Sequence, residues 1–174
     1  QSVHFDAFES ENYPPLAESG IVIDYNTQAI RPLESHKKLV NRNTLDNNVI
    51  ILKLFPGITQ NVIDATLNIK GLKAIVLETY GSGNSPSEAW FMDSLQKAIK
   101  KGIIILNVSQ CNGGRVIQGR YETSKELLNV GVVSGTDMTT EAAVTKLMFL
   151  LGQETRHSEI IAKLKVPLAG EMSA

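Results

Sequence analysis

The chain has 174 residues, of which 43% are hydrophobic and 20% charged, so it can bury a core as one domain or as one domain with an extension. Its net charge of −1 argues against nucleic acid or an anionic membrane as a partner. No apolar run approaches the roughly 20 residues that a membrane helix needs. No basic leader followed by an apolar stretch opens the chain, so we predict no signal peptide.

Cysteine and histidine usage gives a second set of limits. The single cysteine, Cys111, excludes an intramolecular disulfide, and we take a reducing cytoplasm as the default location. The three histidines, His4, His36 and His157, are scattered along the chain. Together with one cysteine they argue against a zinc cage, so we predict no metal.

Residues 1–47 differ in character from the rest of the chain. They hold three of the six prolines and show no sustained helical period. Segments 4–8 and 20–25 are compatible with short strands or extended arms. Because a compact domain seldom begins with so long an irregular stretch, we predict a connector over 1–47 and a domain over 48–174.

From Asn48 onward, predicted strands and helices alternate. The strands are β-branched and nearly all apolar, and lie at 49–55, 73–79, 103–108 and 132–134. The helices begin at residues suited to cap a helix or follow helical spacing, and lie at 59–68, 85–101, 123–129, 139–151 and 158–165. The sequence at 85–88, SPSE, is typical of a capping box with proline at the first helical position.

This alternation predicts a parallel sheet covered by helices on both faces. Ligands of such sheets lie outside the carboxyl ends of the strands. We therefore expect the loops at 55–59, 80–86 and 109–114 to share one edge and to form the ligand-facing surface.

The glycine-rich loop 80–86, YGSGNSP, is the most distinctive of these loops. Its backbone N–H groups and short polar side chains could bind a small polar ligand. Spacing alone favours a plainer interpretation, because a strand-to-helix turn needs glycine for positive φ in any case. The loop lacks the third glycine of a dinucleotide fingerprint and the Lys-Ser/Thr pair of a P-loop.

Four further polar residues are candidates for a site, each with a plainer alternative. Cys111 is a reactive thiol or an inert, partly buried one, and no histidine lies near it in sequence. Tyr121 could aim its hydroxyl into a site or simply pack. Glu78 could orient an amine at the end of its strand or be a solvated charge. Asp137 is most simply a turn or capping residue. No complete nucleophile, base and orienting group is evident.

Four blocks of this sequence resemble the cytoplasmic, type I L-asparaginases. They are 8–20, FESENYPPLAESG; 80–86, YGSGNSP; 109–114, SQCNGG; and 134–142, SGTDMTTEA. The blocks occur in the family's order and spacing and cover nearly the whole chain. The resemblance implies a three-layer α/β/α domain of flavodoxin- or Rossmann-like type, with residues 1–47 as the end of an N-terminal domain and the connector.

The resemblance also implies an activity and a division of labour. The intact enzyme would hydrolyse L-asparagine to L-aspartate and ammonia through an acyl-threonine intermediate, without a cofactor. The family's catalytic threonines, aspartate and lysine lie in the N-terminal domain, so we expect no catalytic residue in this chain, which would be inactive alone. The family forms dimers or tetramers in which this domain completes a neighbouring subunit's active site, and the matching positions here are Asn84 and Tyr121.

Some members of that family also bind asparagine at a regulatory site. There the loop corresponding to Cys111 takes part, and an arginine pairs with the ligand carboxylate. This sequence has Glu78 at the position of that arginine, which reverses the sign of the interaction. We therefore expect asparagine-driven allostery of that kind to be lost.

Two alternatives remain open at the level of sequence. One is a stand-alone sensor or binding domain for a small amino acid, which would use the same loop edge without chemistry. The other is a flavodoxin-like electron-transfer module. It is disfavoured because Phe55, Pro56 and Gly57 follow the first strand, where such modules carry a Ser/Thr-rich phosphate loop.

Overall fold

The computed structural model describes residues 12–32, 38–117, 119, 122–153 and 156–173. The chain divides into two compact units, Gln1–Arg42 and Asn43–Ala174. In the first unit, strands β1 (Ala17–Ser19) and β2 (Ile23–Tyr25) form an antiparallel hairpin. The extended segment predicted at 20–25 thus contains a strand, whereas the segment at 4–8 lies outside the described residues.

The second unit alternates strand and helix as predicted. Its elements in chain order are β3 (Val49–Lys53), α1 (Gln60–Leu67), β4 (Ala74–Thr79), α2 (Ala89–Lys100), β5 (Ile104–Ser109), α3 (Glu122–Val130), β6 (Val133–Ser134), α4 (Thr140–Gln153) and α5 (His157–Leu164). The four strands pair in parallel in the order β3-β4-β5-β6. The predicted parallel α/β class is confirmed.

Both faces of this sheet are covered, because alternate residues of each buried strand enter different cores. In β4, Ile75 and Leu77 join a core with α1, α2 and α3, while Ala74 and Val76 join a core with α4 and α5. The strand order advances in one direction and α1, α2 and α3 all lie on one face, so the three crossovers share one hand. The helices that follow β6 cover the other face, which completes three layers.

Two of the predicted capping residues, Thr59 and Thr139, directly precede their helices, but only Thr139 makes the capping hydrogen bond. Thr139 caps α4, since its Oγ1 accepts the backbone N–H of Ala142 at 3.2 Å. Thr59 occupies the N-cap position of α1 without a side-chain cap bond. The capping box at 85–88 is wrong: Ser85 is buried beside the carbonyl oxygen of Pro86, and α2 begins only at Ala89.

Candidate functional site

Three loops meet at the carboxyl edge of the sheet and form the candidate site. We call them together the loop cluster; they are residues 80–86 after β4, 110–117 after β5 and 135–139 after β6. The strand order contains no reversal, so the sheet itself offers no crevice at which ligands would be expected. The position of the site rests instead on the hydrogen bonds that join the loops.

The glycine loop 80–86 closes on itself through backbone atoms. The N–H of Tyr80 donates to the carbonyl of Asn84 at 2.9 Å, and the N–H of Asn84 donates back to the carbonyl of Tyr80 at 2.9 Å. Gly83 has φ of +108°, and a Cβ there would lie 2.9 Å from Cγ1 of Val116. Glycine is therefore required at position 83 for both its conformation and the close approach of the neighbouring loop.

Ser109, at the end of β5, joins the glycine loop to the loop that carries Cys111. Its hydroxyl donates to the carbonyl of Gly81 at 2.6 Å and accepts the backbone N–H of Cys111 at 3.0 Å. The N–H of Gly114 donates to the carbonyl of Cys111 at 2.9 Å, which turns the loop back over Ser109. A Cβ at position 114 would lie 2.2 Å from the Ser109 Oγ, so this turn also requires glycine.

Two backbone bonds extend the cluster in both directions from the second loop. The N–H of Ile117 donates to the carbonyl of Ser82 at 3.1 Å, and the N–H of Val116 donates to the carbonyl of Thr136 at 2.7 Å. Thr136 has φ of +52°, the one positive φ of a non-glycine residue in the described part of the chain. Such a conformation costs a β-branched residue about 1–3 kcal/mol and persists only where its surroundings enforce it.

A buried polar pair lies beneath the cluster. The hydroxyl of Thr79 donates to Oδ1 of Asn107 at 2.6 Å, and both residues are fully buried. The N–H of Gly135 donates to the carbonyl of Asn107 at 2.7 Å, so Asn107 supports the third loop as well. Its side-chain Nδ2 has no hydrogen-bond partner among the described residues and lies 3.7 Å from where a Cβ of Gly83 would stand.

Glu78 is buried rather than solvated, which corrects the plainer sequence interpretation. The residue is 8% exposed, and its Oε1 accepts the hydroxyl of Thr140, at the start of α4, at 2.5 Å. Its Oε2 lies 3.4 Å from Nζ of Lys53 at the end of β3. The carboxylate therefore fastens α4 and β3 to the end of β4, and its acceptor oxygens are engaged within the chain.

Of the residues predicted for the site, Asn84, Cys111 and Asp137 lie in the loop cluster. Asn84 is half-buried, with its backbone paired to Tyr80. The Cys111 thiol is exposed, so the expectation of a partly buried one is wrong. Tyr121 lies outside the described residues. The amide of Gln110 donates to the carbonyls of Leu54 at 2.5 Å and Glu78 at 2.9 Å, which links the second loop to the residue that precedes the predicted loop 55–59.

Asp137 is a turn residue, as predicted, but it also binds the last described residues of the chain. Its carboxylate accepts the backbone N–H of Ser173 at 2.8 Å and the Ser173 hydroxyl, and Thr136 Oγ1 donates to it at 3.0 Å. Burial raises the pKa of Asp137, yet these hydrogen bonds outweigh it and lower the pKa below its ordinary value. Asp137 thus stays ionised and holds Ser173 against the third loop.

Sequence reasoning missed several residues that build this site. Ser109, Gln110 and Asn107 act through partners that lie 28 to 56 residues away, and no local pattern announces such contacts. The sequence did contain one signal that an anionic residue elsewhere in the chain packs against α4. Lys146 interrupts the apolar face of α4, and a cation in that position predicts a buried anionic partner.

The backbone groups, hydroxyls and amides of the site join its loops to one another and so fix the positions of Asn84 and Cys111. The carboxylates of Glu78 and Asp137 already accept hydrogen bonds within the chain. Within the described residues, no group of three or more His, Cys, Asp or Glu side chains is arranged to hold a metal ion. Nor does any described helix combine the length and apolar character needed to cross a membrane.

The chain therefore folds as a parallel α/β domain whose loop cluster lies at the carboxyl ends of the strands. Residues 48–164 match the model of the glutaminase/asparaginase C-terminal domain. The chain belongs to this family.

Proteins similar to this chain include L-asparaginases and a lysophospholipase. The chain is 37% identical over 169 residues to L-asparaginase 1 of Escherichia coli K12, covering 97% of this chain and 49% of that protein. It is 36% identical over 173 residues to the 60 kDa lysophospholipase of Mus musculus, covering 97% and 30%. The solved structure of L-asparaginase I from Vibrio cholerae superimposes with a TM-score of 0.89 at 36% identity, covering 98% and 52%. The chain thus spans about half the length of both asparaginases.

Proposed function

We propose that this chain is the C-terminal domain of an L-asparaginase, with residues 1–47 as the end of an N-terminal domain and the connector. The whole protein then hydrolyses L-asparagine to L-aspartate and ammonia. The observation that carries this proposal is the family match over residues 48–164, together with 37% identity to an L-asparaginase across 97% of the chain. The reaction proceeds through an acyl-threonine intermediate, and water releases the aspartate from it.

In this proposal the domain supplies positioning rather than the nucleophile. The catalytic threonines belong to the other half of the protein, as the resemblance implies. Asn84 and Tyr121 then complete the active site of a neighbouring subunit in a dimer or tetramer. The self-closed turn from Tyr80 to Asn84 supports this role, because a side chain on a rigid turn loses little entropy when it meets a substrate.

Ammonia release from asparagine tests the proposal. The protein in its full natural length is expected to produce ammonia and aspartate in equal amounts, and the 174-residue chain alone to produce neither. An inactive full-length protein that still binds asparagine would contradict the enzyme and favour an amino-acid sensor. Turnover by the 174-residue chain alone would contradict the placement of the catalytic residues.

Glu78 bears on regulation in the same enzyme. The related enzymes that asparagine regulates carry arginine at this position, and here the carboxylate is occupied by Thr140 and Lys53. A ligand carboxylate would meet an anion in place of a cation. We therefore expect a hyperbolic dependence of rate on asparagine concentration in the intact enzyme, measured by initial rates. A strongly sigmoidal curve would show that another cation has taken over the role.

A further inference from the structure

The end of the chain is held against the domain at two places. Following α5, residues 166–173 form what we call the C-terminal strap. At its near end Nζ of the buried Lys146 lies 2.7 Å from Oε1 of Glu171 and donates to the carbonyl of Val166 at 2.7 Å. At its far end the Ser173 N–H and hydroxyl donate to the Asp137 carboxylate.

The far attachment is adjacent to the most strained residue of the loop cluster. Asp137 follows Thr136, whose φ of +52° is unfavourable for a β-branched side chain. The Thr136 hydroxyl donates to the same Asp137 carboxylate that accepts from Ser173, at 3.0 Å. The carbonyl of Thr136 in turn accepts the N–H of Val116 at 2.7 Å. A continuous chain of bonds therefore runs from the strap to the second loop.

Space is available for the third loop to relax if the strap is released. A cavity of about 370 Å³ is lined in part by Val133, Thr136 and Met172, so it lies between the end of β6 and the strap. Met172 itself is buried in the core that α4 and α5 form with the sheet. The strap is thus packed as well as hydrogen-bonded, and its removal would open one side of Thr136.

We propose that the C-terminal strap is a conformational restraint that holds Thr136 in its strained conformation and thereby keeps the loop cluster closed. The last residues of the chain then control the mobility of the edge on which Asn84 and Cys111 lie. This inference does not depend on the proposed asparaginase activity, because its readout is the opening of a backbone hydrogen bond. Any process that detaches the strap would loosen the loop cluster without unfolding the sheet.

Amide hydrogen exchange measures this directly. A chain ending at Met172 loses both Ser173 donors, and a chain ending at Ser173 is the matched control. In the shorter chain the Val116 N–H is expected to exchange about tenfold faster, while the amides of β4 keep their rates. The S173A variant, which keeps the backbone donor, should show a smaller increase of the same sign. Unchanged exchange at Val116, or an equal increase in β4, would overturn the proposal.

A second variant tests the role of strain separately. T136G removes the penalty for positive φ, so the third loop should no longer need the strap. In the T136G background, shortening the chain to Met172 is expected to change Val116 exchange less than twofold. An undiminished tenfold change would show that the strap acts on the loops by another route. If the chain ending at Met172 does not fold, S173A with and without T136G decides between the same two outcomes.

Discussion

The glycine loop 80–86 is part of the loop cluster and the C-terminal strap restrains that cluster, and the two regions are held in place by different physical means. The glycine loop is held by backbone bonds between Tyr80 and Asn84 and by contacts that only glycine permits. The strap is held to the domain by the ion pair between Glu171 and Lys146 and by the Asp137 carboxylate, which accepts the N–H and the hydroxyl of Ser173.

This difference determines how each region can be disturbed. Conformation and steric fit hold the glycine loop, so added side-chain volume should damage it while pH should not. Ionised side chains attach the strap, so charge removal and acid should damage it. One edge of the sheet is therefore stabilised by two different means, and each has its own diagnostic perturbation.

The largest effect is expected from breaking the buried ion pair of the strap. K146M leaves the Glu171 carboxylate without its cation, and removal of one partner of a buried pair costs about 3–5 kcal/mol of unfolding free energy. Urea unfolding measures the change, and K70M, at an exposed lysine, is the control. A loss below about 1 kcal/mol would mean that the pair behaves as an exposed one.

A smaller loss is expected from steric damage to the glycine loop. G83A should cost about 2–3 kcal/mol, because its Cβ meets Val116 at 2.9 Å and its φ of +108° disfavours any side chain. G57A, with φ of +86° and open space around it, isolates the cost of backbone conformation. The excess loss in G83A over G57A should shrink when V116A is added. Equal losses in the two variants would remove the argument for a tight approach of the loops.

The strap also predicts an acid dependence that the glycine loop does not. Burial raises the pKa of Glu171, but hydrogen bonds from Lys146 and from the N–H groups of Leu168 and Ala169 lower it from 4.5 to about 2. Because the folded-state pKa is depressed, this stabilisation is complete above pH 4.5 and is lost as the pH falls towards 2.

Unfolding free energies measured across that pH interval test this dependence. One such group contributes a slope of up to about 1.4 kcal/mol per pH unit. E171Q should reduce the slope, whereas N129A, at an exposed position that carries no titratable group, should keep it. Identical slopes for E171Q and the unaltered chain would show that Glu171 is not the group that titrates.

The sequence predicted the features that depend on neighbouring residues and missed those that depend on residues far away along the chain. The strands β4 and β5 and the end of α2 were predictable, because apolar runs and the sequence Lys100, Lys101, Gly102 are local signals. The start of α2 was not, because Ser85, the predicted cap, is buried with its hydroxyl against the carbonyl of Pro86, and the helix begins at Ala89.

Distant partners account for the remaining differences at the site. The burial of Glu78 depends on Thr140, which lies 62 residues further along the chain. The attachment of Ser173 to Asp137 spans 36 residues. A sequence pattern describes neighbours along the chain. It therefore predicted that Glu78 ends a strand and that Asp137 lies in a turn, but it did not predict their partners Thr140 and Ser173.

Kinetics of the N84A variant test most directly whether the loop cluster serves amide hydrolysis. Both bonds of Asn84 with Tyr80 use backbone atoms, which alanine retains, so the turn should survive. With asparagine as substrate, the full-length N84A protein is expected to lose about 10- to 100-fold in kcat/KM. N129A, at an exposed position on α3, should keep its activity. An N84A protein as active as N129A would contradict the account, since the loop cluster would then make no contribution to the reaction.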